Sequence, residues 1–436
     1  LATTVLVDTL APQPVSAGLD LTVPSLPQKI SAGENFVCLY DGSSVKCAGR
    51  NDQGQLGDGT NTDRKYLAAI STITNVSQLA VGANHACVVA DGQKVYCWGD
   101  NQYGQLGDGT TTDRSTPTLV VDNGSFTNSM VRGLVAGENH TCAIVPGIYE
   151  KLHCWGRNNM GQLGDGTQVN RLVPTSLAAP FDSTGVVPTS NIYMIANVGA
   201  GAEHTCAAAN SSPSRVWCWG ANASGQLGDG SRIYSPSPVN TGTDGPSGGN
   251  TYHGSVVAGK DFSCALSAAS GSSVITCWGE NSKGQMGDGT SNDVLTPTAV
   301  PANGGFNNGI IQHIAAGGQT VCAITVPVMS TDNKLWCWGA NDGGQVGDGT
   351  TVDRDRPTLV SNNSAASFTN GDLDKAGGNR TSKGIAISKS VTGGFACVTY
   401  WCWGKNTYGQ LAQNNVTDLT LPTIIKVGSV TPDDAT

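Results

Sequence analysis

Cys97-Trp98-Gly99-Asp100-Asn101-Gln102-Tyr103-Gly104-Gln105-Leu106-Gly107-Asp108-Gly109-Thr110 is the stretch on which the fold turns. Its closely spaced glycines read as a tight turn with backbone at positive φ, which glycine adopts without a steric penalty. The same turn recurs at residues 54–60, 161–167, 225–231, 284–290 and 344–350, and decays after Gly409-Gln410-Leu411. Successive copies lie 50 to 65 residues apart. A fixed period of that order marks a propeller or an array of stacked units. Each copy follows Cys-Trp-Gly-x-Asn, except that the first has Ala48 where the others have tryptophan.

The third unit shows the local structure to expect. Residues 134–145 are short, apolar and rich in small and branched side chains, with no helical stripe, and read as one strand. Residues 151–155 read as a second, joined to the first through a turn at Pro146-Gly147. Downstream of the glycine turn, Thr116-Pro117-Thr118-Leu119-Val120 and its echoes at 356–360 and 421–424 read as a further strand, opened by a proline where no ladder bond is needed. Three or four short antiparallel strands repeated seven times predict an all-β, seven-bladed β-propeller, because closure into a ring buries each sheet between its neighbours. The propeller is expected over residues 27–436. Residues 1–26 are expected to form an N-terminal extension, serving as an edge strand, a linker or a subunit-joining segment, with strand-like runs at 3–7 and 19–23.

Fourteen cysteines fall into seven close pairs: Cys38 and Cys47, Cys87 and Cys97, Cys142 and Cys154, Cys206 and Cys218, Cys264 and Cys277, Cys322 and Cys337, Cys397 and Cys402. Only Cys397 and Cys402 have the C-x2-4-C spacing of a zinc knuckle, and no second such pair accompanies them. Facing positions in a hairpin are within disulfide reach, so one intrablade disulfide per blade is expected. Disulfides persist in oxidising compartments, which points outside the cell or to its surface. The Cys397–Cys402 hairpin would be much shorter than its siblings.

Charge excludes other classes. Only 13% of residues are charged, and 24 basic against 33 acidic side chains leave a net charge of −9. A nucleic-acid binder neutralises phosphates with Lys and Arg, so no nucleic-acid partner is expected. No run approaches the ~18 apolar residues of a membrane-spanning helix.

The signature Ala136-Gly137-Glu138-Asn139-His140-Thr141-Cys142, followed by Trp155-Gly156-Arg157-Asn158 and Gly161-Gln162-Leu163-Gly164, resembles the regulator of chromosome condensation repeat. The likeness runs over about residues 29 to 427. It implies a seven-bladed propeller and says less about function, because propellers are scaffolds whose function lies in their loops. The family's founding members promote nucleotide exchange on a small GTPase, an activity at odds with seven disulfides. Secreted bacterial relatives, among them a propeller inhibitor of β-lactamases, are nearer in character.

Several residues tempt a catalytic or metal reading. His85, His140 and His204 each stand two residues before a first cysteine, where Phe36, Phe262, Thr320 and Phe395 stand in the other units. That is one repeat position which accepts a ring, and packing explains it. Nine tryptophans flank the second cysteines and read as packing between blades. The turn aspartates Asp58, Asp108, Asp165, Asp229, Asp288 and Asp348 are followed in several copies by a second acid, such as Asp113, Asp293 or Asp353. That pattern raises calcium, although an EF-hand loop needs denser ligands and a terminal Glu. No nucleophilic, zinc-dependent or phosphate-binding motif occurs, so neither an enzyme nor a cofactor is expected.

The departures from the repeat are where function is expected. Insertions at 178–192, 240–254 and 361–389 join an outer strand to the next inner one and should share a face of the disc. Loops this long are uncommon unless functional or disordered. The last carries Lys375, Arg380, Lys383 and Lys389, a local basic excess in an acidic protein. The sequence therefore reads as a noncatalytic extracellular or cell-surface scaffold that binds a protein or glycan through its interblade loops. Two alternatives are a self-assembling subunit of a surface filament, pilus or layer joined through the N-terminal segment, and an inhibitor of a secreted enzyme.

Overall fold

The computed structural model describes residues 29–424 apart from 41–43, 125, 127–130, 146–150, 178–193, 211–214, 243–251, 270–271, 303–305, 307–308, 328–333, 361–372, 375–383 and 390–398. All regular structure among these residues is β. The strands form seven four-stranded sheets, each cut from one unbroken stretch of chain and ordered from innermost to outer strand as in the sequence. In blade 2 these are Gln78–Val81, His85–Ala90, Lys94–Gly99 and Arg114–Leu119. The architecture is a propeller.

The expected single strand over 134–145 is two strands, Gly133–Ala136 and His140–Val145. Gly137 breaks it, with its N–H donating to His140 O at 2.8 Å. A Cβ there would lie 2.1 Å from the His140 ring, so the turn can fold over the imidazole only with glycine. Small and branched residues gave the β character correctly but did not show where the chain reverses.

Six disulfides join facing positions of the second and third strands: Cys38–Cys47, Cys87–Cys97, Cys142–Cys154, Cys206–Cys218, Cys264–Cys277 and Cys322–Cys337. Their Cα atoms are 4.1–4.2 Å apart. In the seventh sheet the register sets Ala386 opposite Cys402, and Cys397 lies outside the described residues.

Neighbouring sheets are joined by one repeated contact. Trp98 of blade 2 donates from Nε1 to Gln55 O of blade 1 at 3.0 Å, and a Cβ on Gly57 would lie 2.7 Å from that nitrogen. Trp155 meets Gly107 in the same way, as do Trp219 and Gly164, Trp278 and Gly228, Trp338 and Gly287, and Trp403 and Gly347. All six indoles are fully buried. Where the first and seventh sheets meet, the pair changes on both sides. Ala48 stands in place of the tryptophan, Ala412 in place of the glycine, and both belong to one buried cluster with Leu411, Ile30 and Leu39. A backbone bond closes that junction, from Asn414 N–H to Lys65 O at 3.0 Å, equivalent to Gly109 N–H donating to Leu172 O at 3.0 Å between blades 2 and 3.

The innermost strands converge on a narrow channel lined by small or apolar residues, including Ser31, Ala80, Val135, Gly199, Val257 and Ala315. At its mouth, backbone bonds run from blade to blade in one rotational sense. Glu34 N–H donates to Ala83 O (2.9 Å), Ala83 to Glu138 (3.1 Å), Glu138 to Gly201 (3.2 Å), Ala202 to Lys260 (3.1 Å) and Lys260 to Gly318 (2.7 Å).

Candidate functional site

The glycine turn is organised by its asparagine. In blade 2, Asn101 Nδ2 donates to Asp108 Oδ1 (3.1 Å) and to the carbonyls of Thr110 and Thr112 (3.1 Å each), while its Oδ1 accepts from Leu106 N–H (3.0 Å). The Thr110 hydroxyl donates to Asp108 Oδ1 at 2.7 Å and Arg114 Nε to Oδ2 at 2.9 Å. The second acid, Asp113, accepts the Asn101 N–H at 2.8 Å. Both aspartates that raised calcium are thus occupied by the turn itself. The arrangement repeats with Asp58 and Arg64, Asp165 and Arg171, and Asp348 and Arg354. Burial works to raise these four carboxyls, yet the threonine hydroxyl and amide and the arginine hold them below the ordinary carboxylate range. Among the described residues, no group of three His, Cys, Asp or Glu side chains is placed to hold a metal.

The histidine position is an interblade clasp. His85 Nε2 lies 2.9 Å from Thr141 Oγ1, His140 Nε2 2.9 Å from Thr205 Oγ1, and His204 Nε2 2.9 Å from Ser263 Oγ. Each hydroxyl gives its proton to a carbonyl, of Gln105, Gln162 and Gln226 respectively, so the imidazole must donate. All three rings are fully buried. Burial pushes His85 and His140 down to about 3 and His204 to about 4. These are neutral structural rings, and phenylalanine takes their place in blades 1 and 5 as Phe36 and Phe262. His153 is also buried, 3.0 Å from Ser176 Oγ and edge-on to Phe126.

The interblade insertions emerge at the opposite edge from the glycine turns. In blade 4 the outer strand Ser235–Asn240 leaves Gly220 at the turn edge and ends beside Trp217. The innermost strand Met194–Ala200 begins opposite Asn210, at that same far edge. Residues 178–193, 243–251, 361–372 and 375–383 lie outside the described residues, and with them Lys375, Arg380 and Lys383. Lys389 does not belong to a loop. It ends the strand Gly384–Lys389, in register with Thr399. The expected insertion 361–389 is therefore interrupted by strands Leu373–Asp374 and Gly384–Lys389. Only four residues separate Cys397 from Cys402, too few for the long second strand of the other sheets, and the alternating run with Ile385 and Ile387 supplies it instead.

Comparison with known proteins gives the family. The regulator of chromosome condensation (RCC1) repeat matches residues 92–144, 150–208, 214–266, 277–324 and 332–370, and a second description of that repeat matches 76–105. The Ultraviolet-B receptor UVR8 of Arabidopsis thaliana is 29% identical over 417 residues, 94% of this chain and 84% of that protein. The E3 ubiquitin-protein ligase HERC2 of Homo sapiens is 26% identical over 359 residues, 79% of this chain and only 7% of HERC2. Among solved structures, human WBSCR16 superposes with a TM-score of 0.67 at 19% identity, covering 88% of this chain and 94% of that one. Yeast RCC1 (Prp20), solved with Kap60 bound, gives 0.65 at 21% identity, covering 88% and 84%. With the repeat matched over more than half its length, this chain belongs to the regulator of chromosome condensation (RCC1) repeat family.

Proposed function

We propose that the protein is a noncatalytic, seven-bladed extracellular or cell-surface scaffold that binds a protein or glycan through its interblade loops. The sheet ending at Leu419–Ile424 is its seventh blade. The reading rests on a contrast between the two edges of the disc. At the turn edge, Asn101, Asp108, Thr110, Asp113 and Arg114 are spent on one another. The full set recurs in blades 1 and 6, and the asparagine–aspartate–hydroxyl part of it recurs in blades 3, 4 and 5. At the other edge the connections differ in length and composition, and loops carried on a rigid scaffold are where binding residues concentrate. Six disulfides support an oxidising compartment. Yeast RCC1, built from the same repeat, is seen with Kap60 bound.

The test is binding of the biotinylated chain to intact cells of its source, to their shed proteins and to a glycan array. Replacing residues 178–191 by a Gly-Ser linker, or reversing charge at Lys375, Arg380 and Lys383 together, should weaken capture by roughly tenfold or more with melting unchanged. Capture that survives both changes would remove the loop edge as the binding surface.

A further inference from the structure

Every outer strand of a propeller is an edge strand, and its outward N–H and C=O groups are a template for pairing with another chain. The described outer strands share one register. The residue just past the strand turns inward: Val120 N–H donates to Val95 O, Val300 to Ile275 and Val360 to Leu335, each at 2.9–3.0 Å. Backbone direction alternates along a strand, so the residue three positions earlier points its backbone outward. It is also the residue just before the one facing the second cysteine of its blade.

That outward position is proline in six sheets: Pro117, Pro174, Pro238, Pro297, Pro357 and Pro422. Proline offers no N–H and is a recognised device for blunting a sheet edge. Blade 1 departs from the rule. There Ala68 faces Cys47, so the outward residue is Leu67. Its strand, Arg64–Ile70, has seven residues against six in the other outer strands and contains no proline. Lys65 O is taken by Asn414 N–H, which leaves the stretch from Leu67 to Ala69 as the open template.

We propose that the outer edge of blade 1 is a strand-addition site, filled by the N-terminal segment of a second copy of this chain. Leu19-Asp20-Leu21-Thr22-Val23 alternates apolar and polar residues, the pattern of a half-buried strand. Residues 1–28 carry Asp8 and Asp20 and no Lys or Arg, whereas Arg64–Ile70 carries no acid and offers the exposed Lys65, its Arg64 being held by Asp58. The charges complement each other.

For an antiparallel strand centred on the open stretch from Leu67 to Ala69, geometry favours a second copy over the chain's own segment. Lys29, Tyr40, Val45 and Ile70 line up across one end of the sheet. In an added antiparallel strand with Leu19 beside Ile70, Val23 lies four strand spacings across from Lys29 and about four residues along, some ~23 Å away. The six steps from Val23 to Lys29 span at most about 20–22 Å when fully extended. A neighbouring molecule has no such tether. The inference is independent of the loop-edge reading, since it uses another face and another partner.

The test is light scattering on the full chain over a wide concentration range, with amide exchange at Leu67 and Ala69. Concentration-dependent assembly is expected, with both amides protected. Leu67→Pro should weaken it by roughly tenfold or more, through loss of a strand's main-chain bonds. Proline at that position is tolerated in six sheets, so the ring should fold. Leu21→Pro, outside the ring altogether, should do the same. A chain that stays monomeric at all concentrations overturns the proposal. So does assembly indifferent to either substitution, or protection of Leu67 in a monomer that Leu21→Pro abolishes, which would mean pairing within one chain.

Discussion

His140 of blade 3 donates from Nε2 to the Thr205 hydroxyl of blade 4 across 2.9 Å, and Thr205 in turn donates to Gln162 O at 2.9 Å. The relay leaves no place for a second proton on the ring without burying a charge. Since the folded values of His85, His140 and His204 lie below the ordinary histidine value of 6.5, the unfolded chain binds more protons at acid pH. The neutral-ring contribution is complete above pH 6.5 and is lost as pH falls toward the folded values. The loss comes to about 2 kcal/mol per histidine by pH 5. Urea midpoints measured from pH 8 to pH 4 should fall accordingly. His140→Phe, which copies the choice at Phe36 and Phe262, should flatten the slope by about a third.

The Ala48 and Ala412 junction predicts a coupled pair. Ala48→Trp alone should cost about 1–3 kcal/mol by overpacking against the Cβ of Ala412. Ala412 also sits at φ +52°, where glycine relieves strain, so Ala412→Gly must be measured by itself. The double variant should recover most of the loss, with a coupling energy of about 1 kcal/mol or more in a denaturation cycle. Additive behaviour would break the link between the two departures.

Calcium should leave the fold indifferent. The carboxylates that could bind it already accept from Thr110, Asn101 and Arg114, so melting with added calcium or with chelator should agree within about 1 °C. Thr110→Val, by contrast, removes one donor to Asp108 and should cost about 1 kcal/mol.

Reduction should abolish cooperative unfolding. The six described disulfides close sequence separations of 9 to 15 residues, each worth about 2–3 kcal/mol in the chain-entropy model. Identical calorimetric traces with and without reductant would contradict this. Thiol titration of the denatured chain should find no free thiols, with Cys397 and Cys402 also bonded.

The period, the β class and the facing cysteines were legible because each is a repeated local pattern. Tryptophan packing between blades was legible for the same reason, since a large ring at a fixed position must be buried somewhere. The turn at Gly137 was hidden inside an apolar run, because its cause is the approach of the His140 ring and not the composition. Lys389 was misplaced in a loop since the seventh repeat borrows its second strand from an insertion, a substitution that only pairing reveals. Ala48 and Ala412 were visible as two separate irregularities, 364 positions apart. Nothing in the chain order says they touch the same junction.

Because each sheet is one unbroken stretch of chain, a whole blade is also one heritable cassette. A single in-frame duplication or deletion copies or removes four strands together with their disulfide, indole and glycine turn. A propeller closed by a strand lent from the far terminus would mix two distant stretches in one sheet, whereas every described sheet keeps to its own stretch. Ancestry in this ring can therefore proceed by unequal crossing-over, with the alanine pair marking where the terminal cassettes have adapted to each other.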